Sequence, residues 1–518
     1  MSMDECGTYN GTQKLLVLGA ICLSGLSMPV SFTGPAVALP AIAQGLGGTP
    51  IELSWVTNAF MLAFGSSLMI GGSLADRYGR KRLFMLGTMG FAILSLIAMH
   101  ATSMLWLDTL RALQGVASAA ALSSGAAALA QEFEGNARTR AFSLLGTTFG
   151  VGLACGPVVA GFLIEHFGWR SVFLSVTAIT LLAFALGGWC IRETRDPGAT
   201  GFDWLGAATF TGALTFFTVA VLLVPENGWL SAPVLALLAT SSLIMATFVI
   251  VERRSKRPML DLSLFRYPRF IGVQFLAAAP AYAYVVLLVL LPQRFIGIEG
   301  LDAMTAGQMM FALSAPMLVI PFLAGMLTRW LSPGLISGVG LLLCACGNVW
   351  LAQCPPGQLP DQTILAMILI GIGVSLPWGL MDGLAVSVVP KERAGMATGI
   401  FNTTRVAGEG IALAIVTALL GGMVQANLAS TEPASVSSAT LCAAANRLAM
   451  GDMSRALQLL PNATHIGLMH SYADAFHLLL YVLAAISLLS AAMVFGFLGH
   501  SKPTYVELSE LRGESAGL

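Results

Sequence analysis

Apolar runs alternate with short polar breaks along almost the whole chain. Fourteen runs can be marked, at 15–40, 52–74, 83–102, 104–128, 140–164, 170–190, 204–224, 230–250, 268–293, 305–327, 333–353, 362–388, 394–424 and 477–499. A hydrocarbon layer about 30 Å thick needs roughly 20 apolar residues of helix, and each run is of that order. Backbone groups in lipid must be bonded within their own segment, so the runs predict helices rather than open strands. The Gly, Ala and Ser residues inside them suit close helix packing. The pattern therefore predicts an all-α membrane protein with fourteen transmembrane helices.

Composition agrees. Of 518 residues, 56% are hydrophobic and 10% charged, with mean hydropathy +0.80. Soluble domains carry about 25% charged residues. The net charge of zero says nothing about partners, but its distribution fixes orientation. With the N-terminus inside, cytoplasmic loops hold twenty of the 26 Lys and Arg, densest at Arg77–Arg82 and Arg253–Arg257. Outer loops hold four, Arg170, Arg294, Arg447 and Arg455, while Arg111 and Arg405 fall within spans. Lys and Arg are retained on the cytoplasmic side, so both termini are expected there. The first run is long enough to be a retained span rather than a cleaved signal. The eight cysteines have no metal-like spacing and read as small core residues, with a Cys354–Cys442 disulfide left open.

Charged residues inside spans are costly and mark functional sites by default. Arg111 lies in the fourth run, with Asp108 as a local alternative partner. Asp382 lies in the twelfth and Glu409 in the thirteenth, with Arg405 one turn before Glu409. Asn402, Arg405 and Glu409 share one helix face. Glu409 reads either as a proton or cationic-substrate site or as half of a local ion pair with Arg405. Asp382, one turn after Trp378, either faces an organic cation or caps its helix end. Tyr282, Tyr284, Asn58 and Gln274 are further candidates for cavity lining. Residues 251–269 read as a basic connector and 425–476 as a long polar outer loop. The histidines and acids form no nucleophile or metal constellation, and no phosphate-binding Gly-x-x-x-x-Gly-Lys loop is present. An enzyme, a metal site and direct ATP drive are not expected.

Four segments resemble the major facilitator superfamily, in its fourteen-helix drug:proton antiporter branch. Gly72-Ser73-Leu74-Ala75-Asp76-Arg77-Tyr78-Gly79-Arg80-Lys81 resembles the signature turn between helices 2 and 3. Gly72 would permit close helix approach and Gly79 a positive-φ turn. The resemblance gives Asp76, with Arg77 and Arg80 in the same turn, a latch role against a helix start in the other half. Arg111-Ala112-Leu113-Gln114-Gly115 looks like the Arg-x-x-Gln-Gly motif. Gly152, Gly156, Pro157 and Gly161 resemble the antiporter motif of helix 5. Val389-Pro390-Lys391-Glu392-Arg393 leading into Asn402-Thr403-Thr404-Arg405 completes the likeness in the second half.

The resemblance implies two six-helix bundles, 15–190 and 268–499, with 191–267 carrying two inserted helices. Segments 1–14 and 500–518 would be cytoplasmic tails. A cavity near the midplane would open alternately to either side. The branch usually has an acid in helix 1, where this chain has Ser31 ahead of Pro35-Ala36-Val37-Ala38-Leu39-Pro40. Serine cannot carry a proton cycle. The implied activity is proton-driven antiport of small amphipathic organic compounds by a monomer in a bacterial inner membrane, with the proton gradient as energy source and no cofactor. The alternatives are a dedicated exporter of a metabolite such as a siderophore, and a non-transporting membrane sensor. Lipid, protons and a small solute are the expected partners, with no nucleic acid.

Overall fold

The computed structural model describes residues 11–133, 135–195, 203–255, 262–357, 360–388, 394–431 and 436–499. The tails at 1–10 and 500–518, part of the basic connector (256–261) and the 389–393 motif lie outside the described residues. Among the described residues, 14 helices are long and apolar enough to cross a membrane. Spans 1 to 6 are Thr12–Leu46, Pro50–Tyr78, Arg80–Ala98, Met104–Glu132, Leu144–Phe167 and Ser171–Cys190. Spans 7 and 8 are Trp204–Val224 and Ala232–Arg254. Spans 9 to 14 are Pro268–Ile298, Ala303–Leu327, Pro333–Ala352, Pro360–Ala385, Ile400–Thr431 and His465–Leu498.

Spans 1 to 6 pack on one another as one bundle and spans 9 to 14 as a second. Spans 7 and 8 pair, and span 7 lies against spans 2 and 13. Turn chemistry defines the two faces of the bundle. One face carries the Gly47-Gly48 turn and several capped helix starts. Thr49 and Glu52 form a reciprocal capping box at span 2, and Ser103, Asp302 and Thr464 cap spans 4, 10 and 14. Each satisfies amide groups that a helix start leaves unbonded. The opposite, basic face carries the turn at Gly79, whose φ of 113° suits glycine.

The polar stretch 425–476 is not a plain loop. Span 13 runs on to Thr431 and span 14 begins at His465. Between them lie two short helices, Ser438–Ala449 and Met453–Leu459. The first buries Leu441, Ala444, Ala445, Leu448 and Ala449, so it is an amphipathic cap on the capped face. Alternation of small apolar and polar residues hid it from a hydropathy reading. Span 9 also departs from expectation. It holds two π-helical segments, Ala281–Val285 and Gln293–Ile298, directly after Pro280 and Pro292. Local π geometry absorbs the lost proline donors, and such segments recur at functional positions. Cys354 and Cys442 are not joined in a disulfide.

The two bundles meet along spans 2 and 13 and along spans 5 and 10. Gly65 lies against the Val406-Ala407 backbone, and Gly410 lies against Met61. Gly150 lies against Met317, Gly307 against Pro157 and Gly161 against Ala303. Toward the basic face these seam contacts are not continued among the described residues. Gly72, two turns beyond Gly65 on the same side of span 2, has nothing within 4 Å among them. Gly146, one turn before Gly150, also has nothing within 4 Å among them. The close approach expected at Gly72 is made instead by Gly71, which packs on Ala119, Ala120 and Ser123 within its own bundle.

Candidate functional site

Arg111 is fully buried and joins three helices of the first bundle. Its Nε donates to the Val56 carbonyl at 2.8 Å, and Nη1 donates to Ser31 Oγ at 2.9 Å and Gln114 Oε1 at 2.8 Å. Its Nη2 donates to the Ser31 carbonyl at 2.9 Å. The guanidinium carbon sits 4.4 Å from the centre of the Phe60 ring. Proline explains part of this. Pro35 has no N–H, so the Ser31 carbonyl loses its ordinary helical donor and Arg111 supplies one. Gln114 passes the network on to Ser95 at 2.9 Å. Asp108, the alternative partner, makes no ion pair with Arg111, and its buried Oδ1 has no partner among the described residues.

The second bundle holds a different arrangement. Arg405 donates to Asn402 Oδ1 at 2.9 Å and lies 3.7 Å from Asp382 Oδ1. Its guanidinium carbon is 5.6 Å from the ring centres of both Trp378 and Phe401. The local Arg405–Glu409 pair is therefore not formed, because Asp382 and Asn402 hold the guanidinium. Glu409 is buried at 8% exposure and has no hydrogen bond or ion pair among the described residues. At 100° per residue, Glu409 points between Gly408, which faces Ala278 of span 9, and Gly410, which faces Met61 of span 2. It sits at the seam between the bundles. Gly410 packs five residues along span 2 from the Val56 carbonyl that Arg111 uses. The buried cation and the buried carboxyl are thus offset by about 8 Å along that helix.

Gln274 lies one turn before Ala278 on span 9, and both polar atoms of its buried amide are unbonded. Tyr282, one turn after Ala278, is half-buried on the same side. Asn58 is buried and donates to its own helix at Ser54, leaving its Oδ1 unbonded. Tyr284 does not fit a cavity role. It is fully buried and its hydroxyl shares a 2.7 Å hydrogen bond with Ser314 Oγ, which ties span 9 to span 10.

The basic turn is closed on itself in this structure. Asp76 Oδ1 accepts from Arg80 Nε at 3.2 Å and Nη2 at 2.9 Å, within the same turn. Arg80 also reaches Gln131, while Arg77 stacks on Tyr78 with its guanidinium carbon 5.2 Å from the ring centre. A helix start is met instead by Glu193, whose carboxylate accepts from the Lys81 and Arg82 amides at 3.2 Å each. A carboxylate at a helix N-terminus is favourable, but nothing local in sequence links Glu193 to that turn. In span 5 the motif glycines serve two neighbours. Gly152 and Gly156 face Pro29 and Thr33 of span 1, while Gly161 and the Pro157 carbonyl face span 10.

On the capped face, Arg447 crosses between the halves. Its Nη1 donates to the Gly48 carbonyl at 2.6 Å and lies 3.8 Å from Asp452 Oδ2. Burial and the nearby Arg455 push its guanidinium below the usual arginine range, against the pull of Asp452 and Glu52. Ser54 also reaches Met450 of the cap. Among the described residues no cluster of His, Cys, Asp and Glu is arranged to hold a metal ion.

Two membrane bundles meeting at glycine-lined seams, with a cation buried in one and a carboxyl buried in the other, define a transporter of the major facilitator class. The chain matches the Major Facilitator Superfamily model over residues 20–413 and belongs to that family. It is therefore a multi-pass membrane transport protein and not an enzyme. It is 28% identical over 500 residues to the multidrug efflux pump LfrA of Mycolicibacterium smegmatis (strain ATCC 700084 / mc(2)155), covering 94% of this chain and 97% of that one. It is 32% identical over 400 residues to the cephamycin export protein CmcT of Amycolatopsis lactamdurans, covering 74% and 80%. The fold matches the crystal structure of a bacterial homologue of the human lysosomal transporter Spinster, inward-facing and unoccupied. That match has TM-score 0.62 and 16% identity, and covers 95% of this chain and 98% of that one.

Proposed function

We propose that the protein is a proton-coupled exporter of small amphipathic organic compounds, working by alternating access as a monomer in a bacterial inner membrane. Both termini and the basic face lie in the cytoplasm, as the bias of Lys and Arg requires. The observation that carries this reading is Glu409. It is a buried carboxyl at the seam of the halves, unpaired among the described residues, with Arg405 one turn away held by other groups. A carboxyl so placed is neutral when protonated and a cation site when ionised, so proton and cation compete for it. Trp378, half-buried beside Arg405, offers flat apolar surface to an organic solute. The seam contacts toward the capped face and the open glycines toward the basic face correspond to a state open to the cytoplasm, into which substrate would enter. The names of the efflux relatives support the export direction.

The test is proton release from acidified everted vesicles on adding a lipophilic cation. Wild-type protein is expected to respond and Glu409→Gln is expected to lose the response. An unchanged response in Glu409→Gln removes Glu409 from the mechanism. A dedicated metabolite exporter is the second reading, favoured by one observation: every hydrogen bond of Arg111 goes to a neutral oxygen, so no anion is bonded to the buried guanidinium. An anionic metabolite that elicits proton release where cations do not would establish it.

A further inference from the structure

We propose that Asp108 is the proton-bearing carboxyl of the first bundle, and that it exchanges with Ser31 as the partner of Arg111 during transport. The inference rests on the proton-coupled reading above and adds a second, sequence-specific coupling group to it. Three observations converge on it. The first is the deficit at Arg111. A fully buried guanidinium bonded to Val56, Ser31 and Gln114 has no anion among its hydrogen-bond partners. An unpaired buried charge is costly, and the span 1 residue that Arg111 reaches is the neutral Ser31.

The second is Asp108 itself. It precedes Arg111 by three residues, so the two share a helix face. Its Oδ1 is buried and unbonded. A carboxyl that only capped a helix or braced a loop would have that oxygen engaged. The third is access. Spans 2 and 4 run in register, with Gly48 against Met104 and the Val56 carbonyl bonded by Arg111. That register places Asp108, in the second turn of span 4, level with Glu52 in the first turn of span 2, near the capped face. Asp108 lies about 6 Å along the helix from Met104, between the capped face and the buried cation.

The exchange is a proton-linked switch of partners. With Asp108 protonated, Arg111 keeps its present bonds and ties span 1 to span 4 through both oxygens of Ser31. When Asp108, which is only partly buried, gives up its proton to water, its carboxylate draws the guanidinium one turn toward the capped face. Ser31 is released and span 1 is freed from span 4. The charged groups that act on Asp108 are Glu52 on span 2 and Arg111 on its own helix. Glu52 is held in its capping box with Thr49, so its charge stays at the face while the Asp108 proton moves.

The experiment compares wild type, Asp108→Asn and Asp108→Glu in proteoliposomes with ethidium as probe. Two readouts are taken across acid to alkaline pH: proton release, and ethidium-for-ethidium exchange without a pH gradient. The expected result is that Asp108→Asn loses proton release and the pH dependence of transport but keeps exchange. Asp108→Glu is expected to restore proton release with a displaced pH profile. Proton release in Asp108→Asn equal to wild type at every pH overturns the inference and leaves Glu409 as the coupling group. Loss of exchange in both variants assigns Asp108 to folding or binding and also overturns it. A wild-type protein that exchanges ethidium without releasing protons overturns the proton-coupled reading itself.

Discussion

Arg111 grips both oxygens of Ser31, the hydroxyl and the carbonyl, each at 2.9 Å. The carbonyl is free to accept because Pro35 cannot donate to it. A proline that removes a helical bond in span 1 thus creates the acceptor that a buried arginine in span 4 uses. Lysine cannot reproduce this arrangement, because one ammonium lacks the planar fork that reaches Val56, Ser31 and Gln114 together. Arg111→Lys is expected to leave at least one of these buried acceptors unbonded, costing about 1–3 kcal/mol. Thermal unfolding in detergent should show the loss, and transport should fall even where the protein still inserts. An unchanged melting temperature would mean the network contributes little.

Ser31→Ala removes a single bond from the same network. The Ser31 carbonyl still accepts from Nη2, and Nη1 keeps Gln114. The expected cost is about 1 kcal/mol, the ordinary net value of one hydrogen bond, with proton release retained. A complete loss of proton release in Ser31→Ala would show the hydroxyl itself to be part of the proton path.

The seam between spans 5 and 10 depends on missing side chains. A Cβ at Gly161 would strike the Ala303 backbone, and one at Gly307 would strike the Pro157 carbonyl. Backbone cannot yield as a flexible side chain can, so Gly161→Ala or Gly307→Ala should cost about 1–3 kcal/mol in the state where the halves meet here. The state with this seam parted bears no such cost. The expected outcome is a shift of population toward the capped face being open, read as faster labelling of cysteines introduced along that seam. Labelling equal to that of wild type would contradict it.

Arg447 should act as a clasp on the capped face, since its Nη1 spans from the cap to the Gly48 carbonyl in the other half. Arg447→Gln shortens the side chain and removes the charge. In a Ser54→Cys background, where Ser54 lies against Met450 of the cap, membrane-impermeant maleimide should react several-fold faster after Arg447→Gln. A rate that does not change would make the cap a passive cover.

Much of the fold was legible because lipid imposes one rule on every span: long apolar helices with charge kept to the loops. Arg111 and Glu409 were legible for the same reason, as charges where charge is costly. What was hidden depends on distant neighbours. Arg405 sits one turn from Glu409, yet Asp382 and Asn402 hold it. Gly72 carries the signature position, yet Gly71 makes the contact. The cap helices bury small residues under a polar surface, so average hydropathy could not reveal them. Asp108 lay in plain view beside Arg111, but only the unbonded Oδ1 and the Ser31 bonds separate it from a local ion pair.

Asp76 and Glu193 separate two roles that a basic turn can play. Glu193 accepts from the first amides of span 3 and pairs with Arg82 at 3.5 Å, all within one bundle. These contacts do not cross the seam, so they should hold whichever way the halves rock. Glu193→Gln is then expected to lower stability by about 0.3–1 kcal/mol, the value of a charge at a helix N-terminus, with transport per folded molecule unchanged. Among the described residues Asp76 bonds only Arg80 of its own turn, on the side where Gly72 and Gly146 meet nothing across the seam. If it latches to the second bundle when that side closes, Asp76→Asn should leave the melting temperature near wild type while slowing transport. Measuring both quantities on both variants decides the matter. Equal losses of stability and transport in Asp76→Asn would reduce it to a structural brace like Glu193.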